Sequence, residues 1–389
     1  MKLSHGAHLA YCTNIHRGQN WRQTLESLQK YTLAVRRQVC PRQPFAIGLR
    51  LGSQTATELA VRKTLLEFKR WLKKNNCYIF TVNGFPFGRF HGGPVKENVY
   101  RPDWISPERL AYTNLLFDLL AELVPDGVEG SVSTLPGSFK DFINNAGQKK
   151  LIRENLWRCV EHISRLSERT GKKLHLGLEP EPLCLLENSR ETISFFERLR
   201  AEHRNDPRLD EFLGVNYDCC HFAVEYEEPQ KALAAFQKAG IKISKLHLSS
   251  ALKTMATPEA RTALKKFADD VYLHQVIARS DRGKLEYFRD LPDALKSKLK
   301  NKNSKLPEWR IHFHVPLHAP AMPPFQNTND HLLGTLDWLA KNPRACSHLE
   351  METYTWEVLP PPLKSRSVVR QLAAEYDWTL ARLAERGLA

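Results

Sequence analysis

Apolar segments of two periods, one typical of β-strands and one typical of α-helices, alternate along most of this 389-residue chain. Short apolar runs such as FAIGLRL and LHLGLEP favour buried strands, and the segments between them repeat apolar residues every three or four positions. This alternation predicts βα units whose strands pair in parallel. Because such units close into a barrel, we predict that residues 1–389 form a single (β/α)8 TIM barrel.

One of the predicted helices covers residues 55–74, directly after the strand-like run FAIGLRL. Thr55 and Glu58 have the spacing of a capping box at its start.

The interval between the last two predicted strands is too long for a plain barrel. Far more residues separate His247, in ISKLHLSS, from Glu352, in HLEMETYTW, than one helix and one strand require. We therefore predict an accessory insertion over about residues 252–328, between strands seven and eight. It contains the strand-like runs YLHQVIA, KLEYF and RIHFHVP, and a helix is expected after it over residues 330–341.

The chain is basic, with 57 Lys and Arg against 43 Asp and Glu and a net charge of +14. Such a charge favours anionic ligands and partners without identifying them. The densest basic run, over residues 295–310, lacks the interleaved aromatic residues of single-strand binding surfaces. This disfavours nucleic acid. Phosphorylated metabolites and an acidic membrane surface both fit the charge, and so does a solvated basic surface without a partner.

The cysteines and the apolar segments indicate the compartment. The eight cysteines show no CxxC spacing and lie in apolar periodic segments, so we predict reduced packing residues. The N-terminal residues do not form the apolar core of a signal peptide, and no run approaches the length of a transmembrane helix. We expect a cytoplasmic protein without a transmembrane segment.

Four polar residues each close one of the strand-like runs: Glu179, Asp218, His247 and Glu352. Taken singly, each is explained as an unrelated polar strand end. In a parallel barrel, however, the carboxyl ends of the strands converge on one face. Three carboxylates and an imidazole suit a divalent cation such as Mn²⁺, Zn²⁺ or Co²⁺. The set of four therefore predicts a divalent metal site.

Other polar residues near these four are candidates for additional metal ligands or supporting contacts: Glu181, His221 and His314. Glu181 is the alternative to Glu179, although prolines beside it end regular strand pairing. His221 follows Asp218 by three positions, and His314 belongs to an HxH pair that places two imidazoles on one strand face. That pair either binds metal or covers the site and touches substrate.

Glu350 lies on the same strand face as Glu352, one layer deeper in the barrel. A buried carboxylate needs a cationic or hydrogen-bonding partner, so we expect one there.

A long loop rich in glycine and phenylalanine, NGFPFGRFHGG, follows the third predicted strand. Long loops at the active face of a barrel commonly contact substrate. We predict that its polar side chains and one that follows it bind hydroxyls or an anion: Asn83, Arg89, His91 and Lys96. Neither a GxGxxG nor a Walker pattern is present, which argues against a nucleotide cofactor.

Several motifs together carry a family resemblance: YCTNIH, NGFPFGRFHG, VKENVYRPDW, STLPGSF, LGLEPEP, NYDCCHFAVEYE, LHLSSAL, RIHFHVPLH and METYTWEVLP. Through them nearly the whole chain resembles the xylose isomerase-like TIM barrel superfamily, which includes ketose epimerases, hydroxypyruvate isomerases and endonuclease IV. Within it the chain is most similar to the EboE family of metabolite traffic proteins. That family is associated with handling or moving a small molecule. The resemblance therefore implies a small-molecule metabolite and proteins of the same pathway as partners, and it implies no defined reaction.

The resemblance to epimerase-like relatives implies roles for individual residues. In those relatives a glutamate, an aspartate, a histidine and a second glutamate after strands five to eight bind one metal, a pattern that falls here on Glu179, Asp218, His247 and Glu352. The two glutamates also act as an acid/base pair. The long segment between His247 and Glu352 departs from the simple epimerases.

We therefore expect a metal-dependent isomerase- or epimerase-like enzyme that acts on a sugar-like or phosphorylated small molecule. The metal would stabilise an enediolate while Glu179 and Glu352 move a proton next to a carbonyl. One alternative is a non-catalytic metabolite carrier or scaffold. A lesser alternative is an endonuclease IV-like phosphodiesterase, which needs two or three metals.

Overall fold

The computed structural model describes residues 1–298, 305–361, 363–364 and 366–389. Its strands are β1 (His8–Tyr11), β2 (Phe45–Arg50), β3 (Cys77–Asn83), β4 (Gly130–Thr134), β5 (Leu174–Leu178), β6 (Leu213–Asp218), β7 (Lys242–Leu248), β8 (Ala251–Met255), β9 (Val276–Arg279), β10 (Leu285–Phe288), β11 (Glu308–His314), β12 (Gln326–Asn327) and β13 (His348–Met351). Its α-helices are α1 (Trp21–Ser27), α2 (Leu33–Val39), α3 (Ser53–Leu59), α4 (Arg62–Lys74), α5 (Pro107–Leu123), α6 (Ala146–Thr170), α7 (Ser189–Glu202), α8 (Arg208–Phe212), α9 (Cys219–Val224), α10 (Pro229–Lys238), α11 (Pro258–Leu264), α12 (Leu291–Lys296), α13 (Asn329–Lys341) and α14 (Val368–Ala384).

Eight strands form a parallel sheet in the order β1-β13-β7-β6-β5-β4-β3-β2. A parallel bridge between Cys12 and Gly48 joins the two ends of this sheet and closes it into a barrel. The barrel strands are buried almost throughout, as expected for a parallel sheet surrounded by helices. The predicted (β/α)8 barrel is confirmed, and β13 is its eighth strand.

Local signals in the sequence account for where the long helices begin and end. The Ser106 hydroxyl accepts a hydrogen bond from the Glu108 backbone N–H at the start of α5, and Pro107 occupies the first helical position. Gly171 ends α6 in the left-handed conformation, with φ of 67°.

The helix predicted over residues 55–74 is two helices, α3 and α4. Val61, at the corner between them, is 57% exposed and has an extended backbone, with ψ of 119°. The capping box is also wrong, because Thr55 is buried inside α3, whose N-cap is Gly52. The apolar spacing survives the break because α3 packs against α1 and α5 while α4 packs against β3. Periodicity alone therefore did not reveal the corner.

The segment between β7 and β13 forms a second sheet of five antiparallel strands, in the order β10-β9-β11-β8-β12. Three of its strands, β9, β10 and β11, fall in or beside the strand-like runs of the sequence. The sheet has its own apolar core, which includes Leu252, Trp309 and Phe313. Of the basic run over residues 295–310, Lys300 and Lys302 lie outside the described residues.

All eight cysteines are buried and unpaired, which fits the predicted packing role. None of the helices in the described parts of the chain is both long and apolar enough to cross a lipid bilayer.

Glu375 of α14 makes the stability of the fold depend on pH. It is fully buried, and burial raises its pKa to about 7. Hydrogen bonds from the Thr353 hydroxyl and the Leu317 backbone N–H lower the pKa, but by less than burial raises it. A carboxyl whose pKa is higher in the folded state contributes stability at low pH that is lost as the pH rises through about 7. We expect Glu375→Gln to raise the free energy of unfolding at pH 9 by up to about 3 kcal/mol relative to the unmodified protein, and by little at pH 5. Denaturant unfolding at both pH values checks this; an equal effect at both would contradict it.

Candidate metal centre

The four predicted metal ligands converge at the carboxyl end of the barrel. Glu179 directly follows β5, Asp218 ends β6, His247 lies near the end of β7, and Glu352 directly follows β13. One ligand atom from each lies within 4.8 Å of the others. The His247 Nδ1 atom is 3.1 Å from Glu179 Oε1, 3.3 Å from Asp218 Oδ2 and 3.2 Å from Glu352 Oε2. Strand order thus brings together residues that lie far apart in sequence.

These side chains are too buried to be stable as a cluster of like charges. All four are at most 5% exposed. Burial opposes a charged imidazole, but Glu352 and then Glu179 raise the pKa of His247 well above its usual value. Burial, together with Glu179 and Asp218, raises the pKa of Glu352. Three buried carboxylates around one imidazole need a positive charge among them.

Asp218 supplies direct evidence that a cation fits. Its Oδ1 atom caps α9, where it accepts hydrogen bonds from the backbone N–H groups of Cys220 (2.7 Å) and His221 (3.1 Å), and from the Ser249 hydroxyl (2.6 Å). Within the described residues its buried Oδ2 atom accepts no hydrogen bond of good geometry and lies 3.3 Å from His247 Nδ1. A buried carboxylate oxygen with only this one contact can accept a further cation. Together with the donor set, it fits a divalent metal such as Mn²⁺, Zn²⁺ or Co²⁺.

A layer of polar residues around the four fixes their orientation. The Asn216 amide donates to Glu179 Oε2 (2.7 Å), and the amides of Asn14 (2.8 Å) and Asn83 (3.1 Å) donate to Glu352 Oε1. Such contacts hold metal ligands in place. Of these three, only Asn83 was singled out in the sequence. Asn14 and Asn216 lie in the short motifs YCTNIH and NYDCCH, which marked the regions but not the roles of the residues.

Glu350 orients the imidazole of His247 from below. The His247 Nε2 atom lies 2.8 Å from Glu350 Oε2, an arrangement that leaves Nδ1 to face the carboxylates. Lys245 is fully buried, and its Nζ donates to the same Glu350 oxygen at 2.5 Å. Burial by itself would raise the pKa of Glu350, but the nearby Lys245 ammonium lowers it to about 2. The expectation of a cationic partner for Glu350 is confirmed.

The three additional candidates form donor sets that adjoin the first one. Asp218, His221 and His314 form one set, and Glu181, His221 and His312 form another. His314 donates through Nδ1 to the Glu352 backbone carbonyl (2.8 Å), and its buried Nε2 has no partner among the residues described. The structure thus places Glu179 in the four-residue set and Glu181 in a neighbouring one. His312, the other half of the HxH pair, contacts His221 at 3.1 Å between their Nε2 atoms.

Glu181 is a second ionisable carboxyl beside the centre. It accepts a hydrogen bond from the Tyr100 hydroxyl (2.6 Å) and lies 3.3 Å from His312 Nδ1. Burial raises its pKa to about 7, although His221 opposes this rise. A carboxyl with such a pKa can hold or release a proton near neutral pH.

A cavity of about 520 Å³, counted out to its solvent opening, adjoins the centre. Glu179, Glu181, Glu352, His221 and His312 form its polar wall, and Phe85, Phe90, Val95, Tyr100, Tyr272 and Tyr354 are among the residues of its apolar wall. The rings of Phe90, Tyr272 and Tyr354 pack against one another with centroids 5.1 to 5.3 Å apart. Tyr272 and His312 come from the segment between β7 and β13, so that segment completes the cavity. The mixed polar and apolar lining is typical of a small-molecule site.

The four predicted substrate contacts occupy different positions. Asn83 lines the cavity and reaches Glu352. Lys96 also lines it, but its Nζ is bound by the Asp290 carboxylate (2.7 Å) and two backbone carbonyls. The His91 ring bridges the Asn14 carbonyl and the Tyr272 hydroxyl. The Arg89 guanidinium binds carbonyls of its own loop and does not line the cavity. In this structure, three of the four side chains hold the loop together, and their role in binding substrate stays a prediction.

Comparison with known proteins identifies the type of barrel. No family model and no curated protein sequence matches the chain. Among solved structures, an L-ribulose 3-epimerase is similar at a TM-score of 0.52 and 11% identity, over 99% of this chain and 96% of that one. A probable 3-DHS dehydratase from Bacillus anthracis has a TM-score of 0.49 and 12% identity, over 98% and 99%. D-psicose 3-epimerase from Clostridium cellulolyticum H10 has a TM-score of 0.49 and 13% identity, over 96% and 98%. The likeness to the ribulose epimerase agrees with the observed (β/α)8 barrel and shows the fold alone.

Proposed function

We propose that this protein is a divalent-metal-dependent enzyme of the isomerase or epimerase type that acts on a small, sugar-like molecule. The observation that carries the proposal is the convergence of Glu179, Asp218, His247 and Glu352, with ligand atoms within 4.8 Å of one another, beside a cavity with a polar and an aromatic wall. Ketoses are the first substrate class to consider because a structure of this fold is an L-ribulose 3-epimerase.

The residues suit proton transfer at a carbon next to a carbonyl. When bound, the metal would supply Lewis-acid polarisation of the substrate oxygens. Glu352 would take the proton. Its pKa is raised, so it is a stronger base than an exposed carboxylate. The Asn14 and Asn83 amides hold its Oε1 atom in place meanwhile. Glu179, held by Asn216, would return a proton, and the aromatic wall of the cavity would keep bulk water out.

The test is deuterium exchange in D₂O, followed by nuclear magnetic resonance. Metal-loaded protein is incubated with a panel of ketoses that includes L-ribulose and D-tagatose, and with their phosphates. We expect deuterium to enter at the carbon next to the carbonyl of at least one sugar, and the same protein treated with a chelator to give none. If metal-loaded protein exchanges no sugar of the panel yet binds one in calorimetry, the proposal fails and a metabolite carrier, as the EboE resemblance suggests, takes its place.

The adjoining donor sets favour a second candidate, a multi-metal phosphodiesterase. Asp218 is shared between two of the sets, and the unpaired Nε2 of His314 points to a further ligand in the second. Two or three metals at the barrel mouth, with cleavage of a phosphodiester bond in DNA, would support this candidate. A single metal there, without cleavage, would exclude it.

A further inference from the structure

We propose that Glu129, His175 and His348 form a second, separate metal site at the amino-terminal end of the barrel. Their ligand atoms lie within 4.8 Å of one another. Glu129 immediately precedes β4, His175 is the second residue of β5, and His348 is the first residue of β13. The candidate metal centre is at the carboxyl ends of these parallel strands, so the site of Glu129, His175 and His348 is at the opposite end of the barrel.

The three residues meet across the interior of the barrel. β13 is separated from β5 by β7 and β6 in the sheet, so His348 does not meet His175 as a neighbour on an adjacent strand. Their ring centroids are nevertheless 5.1 Å apart. The His175 Nε2 atom lies 3.7 Å from Glu129 Oε2, longer than a good hydrogen bond and short enough for both atoms to bind one ion after a small adjustment.

Both imidazoles are oriented in the way that metal-binding histidines are. The Nδ1 atom of His175 lies 2.7 Å from the Ser244 hydroxyl, and that of His348 lies 2.7 Å from the Ser131 hydroxyl. A hydroxyl that accepts the Nδ1 proton fixes the tautomer in which Nε2 carries the lone pair. In the described part of the chain, the Nε2 atom of His348 is fully buried and has no hydrogen-bond partner. A buried nitrogen of this kind, on a residue grouped with a carboxylate and a second imidazole, is available to bind a metal ion.

The donor types of the three groups suit a transition metal. Two buried imidazoles and one half-buried carboxylate favour Zn²⁺, Fe²⁺ or Co²⁺ over Ca²⁺ and Mg²⁺, which prefer oxygen ligands.

A path to the site exists, and the site has a structural consequence. Glu129 and His175 line an open cavity on the surface, through which an ion can enter and water can complete the coordination.

A bound ion would link β4 and β5 to β13 across the base of the barrel. Because a ligand that binds only the folded state stabilises it, Zn²⁺ should raise the thermal midpoint of unfolding.

The experiment uses Zn²⁺ as the probe and Glu129→Gln as the main variant, because Glu129 is partly exposed and its replacement leaves the core intact. The control is Glu168→Gln, an exposed carboxyl that lines the same cavity. Both are made in an Asp218→Ala background, which removes one ligand of the four-residue centre; zinc held at the barrel mouth by other residues is the same in the variant and its control. Zinc bound after equilibrium dialysis is measured by mass spectrometry.

We expect one zinc per chain in the Asp218→Ala protein and in its Glu168→Gln control, with at least a tenfold weaker affinity after Glu129→Gln. His348→Ala in the same background should give the same loss, and zinc should raise the thermal midpoint only where Glu129 is present. Equal zinc binding with and without Glu129→Gln, or no zinc in the Asp218→Ala protein, overturns the proposal and leaves a hydrogen-bonded histidine cluster. Neither result depends on whether the barrel mouth is catalytic.

Discussion

Glu352→Gln should lower the turnover of the metal-loaded protein by about 10³-fold, the range expected when a general acid/base is lost. Glutamine keeps the size of the side chain and an oxygen that accepts from the amides of Asn14 and Asn83. It cannot accept a proton at physiological pH. Because Glu352 is also a candidate ligand, turnover is compared at saturating metal, and the circular dichroism spectrum should match that of the unmodified protein.

The matched control is Glu357→Gln, five positions further along the same segment. Glu357 pairs with the exposed Arg17 and does not line the cavity, so its replacement should leave turnover within about twofold. Turnover of Glu352→Gln within tenfold of the unmodified protein would contradict the assignment of Glu352 as the acid/base.

Lys245→Met should destabilise the fold by about 3 to 5 kcal/mol, the cost of breaking a buried ion pair from one side. Lys245 and Glu350 are both fully buried, and the ammonium group donates to Glu350 Oε2 and to the Ser133 hydroxyl. Methionine removes the positive charge and leaves the buried carboxylate with His247 as its remaining partner. Denaturant unfolding in the presence of a chelator measures the effect without a contribution from bound metal.

A second substitution separates the ion pair from packing. In the double variant Lys245→Met with Glu350→Gln, no buried charge is left unpaired, so we expect much of the lost stability to return. Two results would show that the ion pair does not stabilise the fold. One is a Lys245→Met protein as stable as the unmodified protein, and the other is a double variant that loses more unfolding free energy than the two single variants lose together.

The barrel and the convergence of the four candidate ligands could both be predicted from the sequence because both follow from one regular feature. Parallel strands have their carboxyl ends on one face, so a polar residue at the end of each apolar run is enough to place Glu179, Asp218, His247 and Glu352 together. The same alternation along the strand places Glu350 one layer below Glu352, inside the barrel. A carboxylate buried there was expected to have a cationic or hydrogen-bonding partner. Lys245 could not be named beforehand, because a lysine inside a strand-like run is usually exposed.

What could not be predicted depends on how separate segments pack. Tyr272 and His312 reach the cavity only because the antiparallel sheet folds back over the barrel, a contact that no local pattern encodes. For the same reason the sequence did not show that His91 contacts Tyr272 and that Lys96 binds Asp290. Both side chains were expected to contact substrate, and in the structure they hold the loop in place. The division of the chain into a barrel and an accessory insertion over about residues 252–328 stays a prediction.

The central claim is that Glu179, Asp218, His247 and Glu352 bind a divalent metal. The most direct measurement is the metal content of the purified protein by mass spectrometry, compared between the unmodified chain and Asp218→Ala, with Asp281→Ala as an exposed acidic control. We predict that Asp218→Ala lowers the content by about one divalent metal per chain and that Asp281→Ala leaves it unchanged. An equal content in all three proteins would contradict the metal centre and, with it, the proposed enzyme.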